Sequence, residues 1–159
     1  MTQWPKPSST CILVGGEPLI AEYEAYGEIY PGDLVKFRNA SAADKTITVC
    51  AADDTAAIGF ALITPNMNTT TGALTGAKRD QAFEAGDSVK VAKGDCFLMA
   101  RLAPSQDIDR GEMLQPADSG ELKAYECGTD EACQLVAQSM EDVVSVTVFQ
   151  WILVNCRIN

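Results

Sequence analysis

The apolar positions of this chain fall into short runs that alternate or cluster over four to seven residues, separated by Gly, Asp, Asn and Pro. "LIAEYEAYGEIY" (19–30) alternates in part. "LVKFR", "TITVCA", "SVKVA" and "CFLMARL" are brief and rich in β-formers. Short runs of this kind with turn residues between them predict strands of a barrel or sandwich. The C-terminal stretch "VVSVTVFQWILVNCRIN" (143–159) is the strongest signal. It is long, apolar and rich in β-branched residues, and predicts one long buried strand or a pair broken near Gln150.

A repeated device punctuates the pattern. Gly32–Asp33, Gly86–Asp87 and Gly94–Asp95 each precede an apolar run, and Gly111–Glu112 precedes "MLQPA". Glycine supplies positive φ and Asp bonds back to the backbone, so these pairs predict tight turns feeding strands. The device needs no active site. "NMNTTTGALTGAKRDQ" (66–81) is polar and Gly/Thr-rich and predicts a long surface loop. "GTDEACQLVAQSMED" (128–142) is the best helix candidate, with Thr129 placed to cap it. Its rival, which we favour slightly, is a strand in "CQLVAQS" preceded by a helical turn.

The first ten residues carry Pro5, Pro7, four hydroxyl residues and Trp4, and predict an extended arm. A Trp in such an arm either folds back on its own domain or anchors on a partner. The organisation predicted is an N-terminal arm over residues 1–10 and a single β-rich domain over 11–159, with 66–81 as its surface loop. The fold class is mainly β: a compact small β-barrel or β-tulip-like domain with an extended N-terminal arm and at most one short helix.

Composition narrows the function classes. The net charge of -10 repels phosphate backbones and anionic lipid, so nucleic acid and membrane are excluded as expected partners. Acidity of this size serves solubility, a salty medium or a basic partner surface. No secretory leader or apolar run of membrane-spanning length stands out, which predicts folding in the cytoplasm. The glycosylation patterns at Asn39 and Asn68 are then chance matches. Cys11, Cys50, Cys96 and Cys156 lie in apolar runs and read as reduced core residues. Cys127 and Cys133 flank a polar turn, where a local disulfide is the open question.

The chain has no histidine, which removes Ser-His, Cys-His and His-metal arrangements. Phosphate-binding loops and paired short Cys spacings are missing, so no zinc or other cofactor is expected. "DIDRGE" from Asp107 resembles the start of a calcium loop, but Gly111 stands where the third oxygen ligand belongs. Asp53–Asp54 is the one carboxylate pair of note; sequence neighbours point apart, so it reads as a solvated turn. No catalytic residues and no metal ligands are assigned, and the chain does not read as an enzyme.

The order of the signals carries more than any one of them. "GDLVKF", "AIGFALIT", "FEAGDSVKVAKGDCFLMARL", "IDRGEMLQPADSGELKAY", "ACQLVAQSMED" and the terminal strand follow one another in that order. This series resembles the capsid decoration (cement) proteins of tailed viruses. "GFAL" at Gly59–Leu62, "AGDSVKV" at Ala85–Val91 and "GEMLQPADSGEL" at Gly111–Leu122 carry the likeness, which spans roughly 27–158. The loop at 66–81 and the cysteine content depart from the family pattern. The resemblance implies a homotrimer on the outer capsid surface of a virion, made in the host cytoplasm, that stabilises an icosahedral shell by clamping neighbouring major capsid protein subunits. It also implies an arm reaching onto the lattice, which makes Trp4, Pro5 and Pro7 the candidate capsid-binding residues. The rival readings are the base of a virion fibre or turret, and a non-viral β-barrel carbohydrate-binding module. Exposed aromatics would favour the last; most aromatics lie inside strand-like runs, except Trp4 and the cluster Tyr23, Tyr26 and Tyr30.

Overall fold

The structure, a computed structural model, describes residues 12–39, 44–63, 80–126, 134–145 and 147–159. Trp4, Pro5, Pro7, Cys11, Cys127, Cys133 and nearly all of the 66–81 loop lie outside them. The described strands are β1 (Leu13–Gly16), β2 (Leu19–Ala25), β3 (Leu34–Phe37), β4 (Thr46–Val49), β5 (Ala57–Ala61), β6 (Ser88–Lys93), β7 (Cys96–Leu102), β8 (Gln106–Ile108), β9 (Met113–Pro116), β10 (Leu122–Ala124), β11 (Ala137–Ser139), β12 (Val143–Ser145) and β13 (Gln150–Cys156). Helical structure among the described residues is confined to a 3-10 turn at Asp118–Gly120 and to Asp80, which lies in another. The mainly β fold class expected from the pattern is therefore what the chain adopts.

The strands make two closed circuits. Strands β2, β4, β3, β5 and β6 form a closed barrel. The pairings β7–β13, β13–β11, β11–β9, β9–β10 and β10–β7 run round a second ring, to which β1 adds on β7. A bent two-stranded ribbon joins the circuits. β2 pairs with β6 from Leu19↔Lys93 to Glu24↔Ser88, and β1 pairs with β7 from Leu13↔Leu98 to Gly16↔Cys96. The bend falls at Glu17–Pro18 on one strand and Gly94–Asp95 on the other, where Glu17 N donates to the Asp95 carbonyl at 2.9 Å. Strands β8 and β12 form a separate two-stranded piece.

The Gly-Asp device behaves as the sequence predicts at three of its four occurrences. In the turns Tyr30–Asp33, Glu84–Asp87 and Asp109–Glu112 the fourth residue's N–H donates to the first residue's carbonyl at 3.0, 3.0 and 3.1 Å. The fourth residue's carboxylate then accepts the first residue's N–H at 2.8, 2.8 and 3.0 Å. The third residue is glycine at φ 87°, 93° and 91°, as a type II turn requires. Ala51–Asp54 repeats the device without glycine: Asp53 takes φ 61° and the Asp54 carboxylate accepts Ala51 N–H at 2.6 Å. The fourth occurrence, Gly94–Asp95, is the bend of the ribbon instead.

Two apolar clusters fill the molecule. Ala25, Ile29, Val35, Ile47, Ala61, Phe83, Val89 and Val91 fill the barrel. The larger cluster takes Leu98, Ala100, Leu102, Leu114, Leu122, Ile152 and Val154 from the second ring. It also takes Leu34, Phe60, Leu62 and Ala92 from the outer face of the barrel. Barrel strands β3, β5 and β6 are thus buried on both faces, which explains adjacent apolar pairs such as Leu34–Val35 and Phe60–Ala61. Gly59 in "GFAL" is required by closeness: a Cβ there would stand 2.5 Å from the Ala92 carbonyl oxygen and 2.6 Å from Val91 Cγ1. The C-terminal run resolves into the pair β12 and β13, broken before Gln150. "CQLVAQS" contributes strand β11, and the residues expected to hold a helical turn before it lie outside the described set.

Candidate functional site

The densest polar chemistry lies where the barrel meets the second ring. The Tyr30–Asp33 turn brings Asp33 to Arg101 of β7, and their Oδ1 and Nη1 are 3.4 Å apart. Trp151 of β13 is paired directly opposite Arg101. The guanidinium carbon lies 3.9 Å from the ring centroid of Phe149, 4.7 Å from that of Tyr30 and 5.8 Å from that of Trp151. Phe149 and Trp151 meet edge to face at 5.8 Å. Gly32 makes the approach feasible, since a Cβ there would stand 2.6 Å from the Trp151 ring. Arginine over aromatic faces is favourable electrostatically, more so where water is thinned out.

This junction carries a charge cost. Arg101 Nε is buried without a hydrogen-bond partner among the described residues. Asp33 is 1% exposed, and burial pushes its carboxyl up to about 7 despite the Tyr30 N–H and the Arg101 guanidinium, both of which favour the ionised form. Burial also raises Glu121, against the pull of Arg101. Tyr30 is raised by burial and by Glu28.

Further ties hold the two circuits together. The Gln134 side chain accepts Ala57 N–H at 2.7 Å and donates to the Ala57 carbonyl at 3.0 Å, acting as one more rung beside β5. Asp53 Oδ1 accepts from Gln115 at 2.9 Å and pairs with Lys123 Nζ at 2.8 Å. Asp54 pairs with Lys36 at 2.6 Å. The Asp53–Asp54 carboxylates therefore serve different partners, as their adjacency predicts. At "DIDRGE" the Glu112 carboxylate is spent on its own turn, and Asp142 accepts Arg110 N–H at 2.8 Å. Among the described residues no group of three or more His, Cys, Asp or Glu is placed to hold a metal.

The tyrosines singled out as a sugar platform divide between two contacts. Tyr23 stacks edge-on to Phe37 at 5.3 Å and Tyr26 lies under Arg38 at 3.5 Å, both at the β2–β3 end of the barrel. Tyr30 belongs to the junction. The candidate capsid-binding residues Trp4, Pro5 and Pro7 lie outside the described residues. Sequence reasoning missed Arg101, Phe149 and Trp151. The one available signal was a cation inside the otherwise apolar run "CFLMARL".

Two conjoined small barrels, tied across their junction by ion pairs, hydrogen bonds and ring contacts, define the class of fold. No family model matches the chain, and no curated protein matches it. Among solved structures the chain is similar to the head fibre gp8.5 N base of bacteriophage phi29, with a TM-score of 0.54 and 10% sequence identity. The match covers 90% of this chain and 97% of that chain. The two share a fold.

Proposed function

We propose that this protein is a structural component of a tailed-phage virion, attached to the outside of the head. The observation that carries the reading is the shared fold with the phi29 head fibre base, which extends over nearly the whole of both chains. The order of turn and strand motifs supports it independently through the resemblance to capsid decoration proteins. The junction chemistry agrees, because the polar groups there bind the fold together and a shell component needs rigidity and surface rather than a catalytic centre.

On the finer level we propose a homotrimer that decorates the capsid and clamps neighbouring major capsid protein subunits, with the arm of residues 1–10 reaching onto the lattice. Repetition over a shell lets weak contacts add up to firm retention. The second reading, the base of a head fibre, is favoured by the structural neighbour, which is itself a head fibre base. Mass spectrometry of purified particles, followed by a particle map, separates these. A decoration protein is expected in hundreds of copies with low threefold clusters. A fibre base is expected as an anchored foot under a projection. Its absence from particles overturns both. For the arm, Trp4→Ala is expected to weaken retention on shells by about 2 kcal/mol per bound site, as for a buried aromatic anchor. Unchanged retention removes Trp4 from the interface.

A further inference from the structure

Strand β2 is bonded along one edge only for most of its length. β6 covers it from Leu19 to Glu24, whereas β4 meets it only at Glu24↔Thr46 and Ala25↔Ile47. Among the described residues nothing pairs with the second edge of 19–23. Glu24 and Tyr26 donate toward the β4 side, to the carbonyls of Lys45 and Ile47 at 3.2 and 2.9 Å. Ala25 donates to the β6 side, to Asp87 at 2.8 Å. Strict alternation along a strand then turns the N–H and C=O of Ile20 and Glu22 to the open edge. The strand is also bare: Leu19 is 64% and Ile20 51% exposed, and Ala21, Glu22 and Glu24 are exposed too. Open edges with apolar side chains are templates for a further strand.

The charges say which strand. Ile20, Glu22 and Glu24 share one face by alternation. On the β6 side Glu22 has Lys90 as its cross-strand partner and accepts from the Ser88 hydroxyl. On the open side, among the described residues, neither carboxylate has an ion pair; β4 begins there beside Glu24 with Asp44 and Lys45. A second copy of this strand, paired antiparallel, would set carboxylates against carboxylates, which is unfavourable. We infer that the open edge of β2, Leu19–Tyr23, docks an extended segment of a partner protein that carries Lys or Arg on alternate positions. Backbone bonds to Ile20 and Glu22 supply register, and the two carboxylates supply selectivity. The inference stands on the edge and its charges, not on the virion reading.

The test uses a blocked octapeptide alternating lysine and valine, with its glutamate–valine counterpart as control. Binding is read by amide chemical shifts of the full chain and by fluorescence anisotropy. The lysine peptide is expected to bind and to shift the Leu19–Glu24 amides, and the glutamate peptide is expected not to bind. Ile20→Pro removes only an outward N–H, leaving the β6 ladder intact, and is expected to weaken binding about tenfold. The double variant Glu22→Lys/Glu24→Lys is expected to reverse the peptide preference, with its fold checked by the same spectra. Equal binding of both peptides, shifts confined elsewhere, or no binding at all overturns the inference; the last outcome makes the carboxylates guards against aggregation. A concentration-dependent dimer that Ile20→Pro dissolves overturns it in favour of a second copy.

Discussion

The barrel and the second ring are built from strands of similar length, yet they bury apolar side chains very differently. Among the described residues the barrel's cluster holds eight buried apolar residues, while the cluster centred on the ring holds twenty-one, several of them contributed by the barrel's own outer face. A five-stranded barrel is filled by few side chains, so its interior alone offers little to set against the entropy of ordering its strands. The ring supplies the difference. Phe60 illustrates the arrangement: it belongs to barrel strand β5 but is fully buried in the ring's cluster. The barrel is thus a dependent unit and the ring the one that carries stability.

The sharpest way to break this comparison is to truncate one phenylalanine on each side. Phe60→Ala is expected to cost roughly 3–5 kcal/mol and to lower protection from hydrogen exchange in both circuits. Phe83→Ala, inside the barrel, is expected to cost a similar amount in barrel strands β2 to β6 while leaving the amides of β7 and β13 protected up to their own opening. Denaturant titration with residue-resolved exchange reads both. If Phe83→Ala loosens β7 and β13 equally, the two circuits are one cooperative unit and the asymmetry is wrong.

Much of this architecture was legible and some was not, for physical reasons. The Gly-Asp pairs announce themselves because only particular residue types satisfy positive φ and bond back to the turn. Strands β3 to β7 and β9 follow from runs such as "LVKF", "TITV" and "SVKVA". Period-two patterning names a strand but not its neighbour. Nothing in "KGD" distinguishes a hairpin turn from the bend at Gly94–Asp95, where the ribbon leaves the barrel for the ring. The same limit hides the junction. Arg101 and Trp151 are 50 positions apart in the chain and meet only because β7 and β13 pair at that register. The proposed arm residues Trp4, Pro5 and Pro7 are legible as an unusual composition, and their role belongs to the particle experiment.

The junction between the two regions offers the next largest effect, and it depends on pH. The folded-state carboxyl of Asp33 lies near 7, above its ordinary value of 3.8, because it is buried. The folded protein therefore holds a proton there that the unfolded chain has released. Its contribution is full below pH 3.8 and is lost progressively as pH rises through about 7, after which it is constant. Asp33→Asn cannot ionise, so the stability difference between variant and wild type is expected to move in the variant's favour between pH 4 and 7, by on the order of 1 kcal/mol per pH unit at most. Denaturation midpoints at four pH values check this. A constant difference across the window means the Arg101 pairing cancels the burial.

A smaller effect is expected where the ring reaches over to finish a barrel strand. Ala57 is buried, and both its N–H and its carbonyl bond to Gln134. Gln134→Ala strands the pair and is expected to cost about 1–3 kcal/mol. Gln134→Glu keeps the shape and the acceptor but loses the donor when ionised, so it is expected to recover part of the loss at low pH. Equal stability of Gln134→Ala and wild type would mean water replaces the amide.

The gentlest probe leaves stability untouched and asks which region opens first. Cys50 packs between the barrel and the ring, while Cys96 and Cys156 lie within the ring's own strands. All three are buried, and burial raises each thiol: Cys50 and Cys96 to about 12, and Cys156 above the ordinary range. Thiolate is the reactive form, so alkylation of the native protein at pH 8 is expected to be slow at all three and governed by opening rather than by intrinsic reactivity. If the barrel depends on the ring, Cys50 is exposed whenever the two part, and its labelling is expected to outpace Cys96 and Cys156. Peptide mapping after timed alkylation in low denaturant gives the order. Cys96 or Cys156 reacting before Cys50 would invert the hierarchy and make the barrel the more stable of the two.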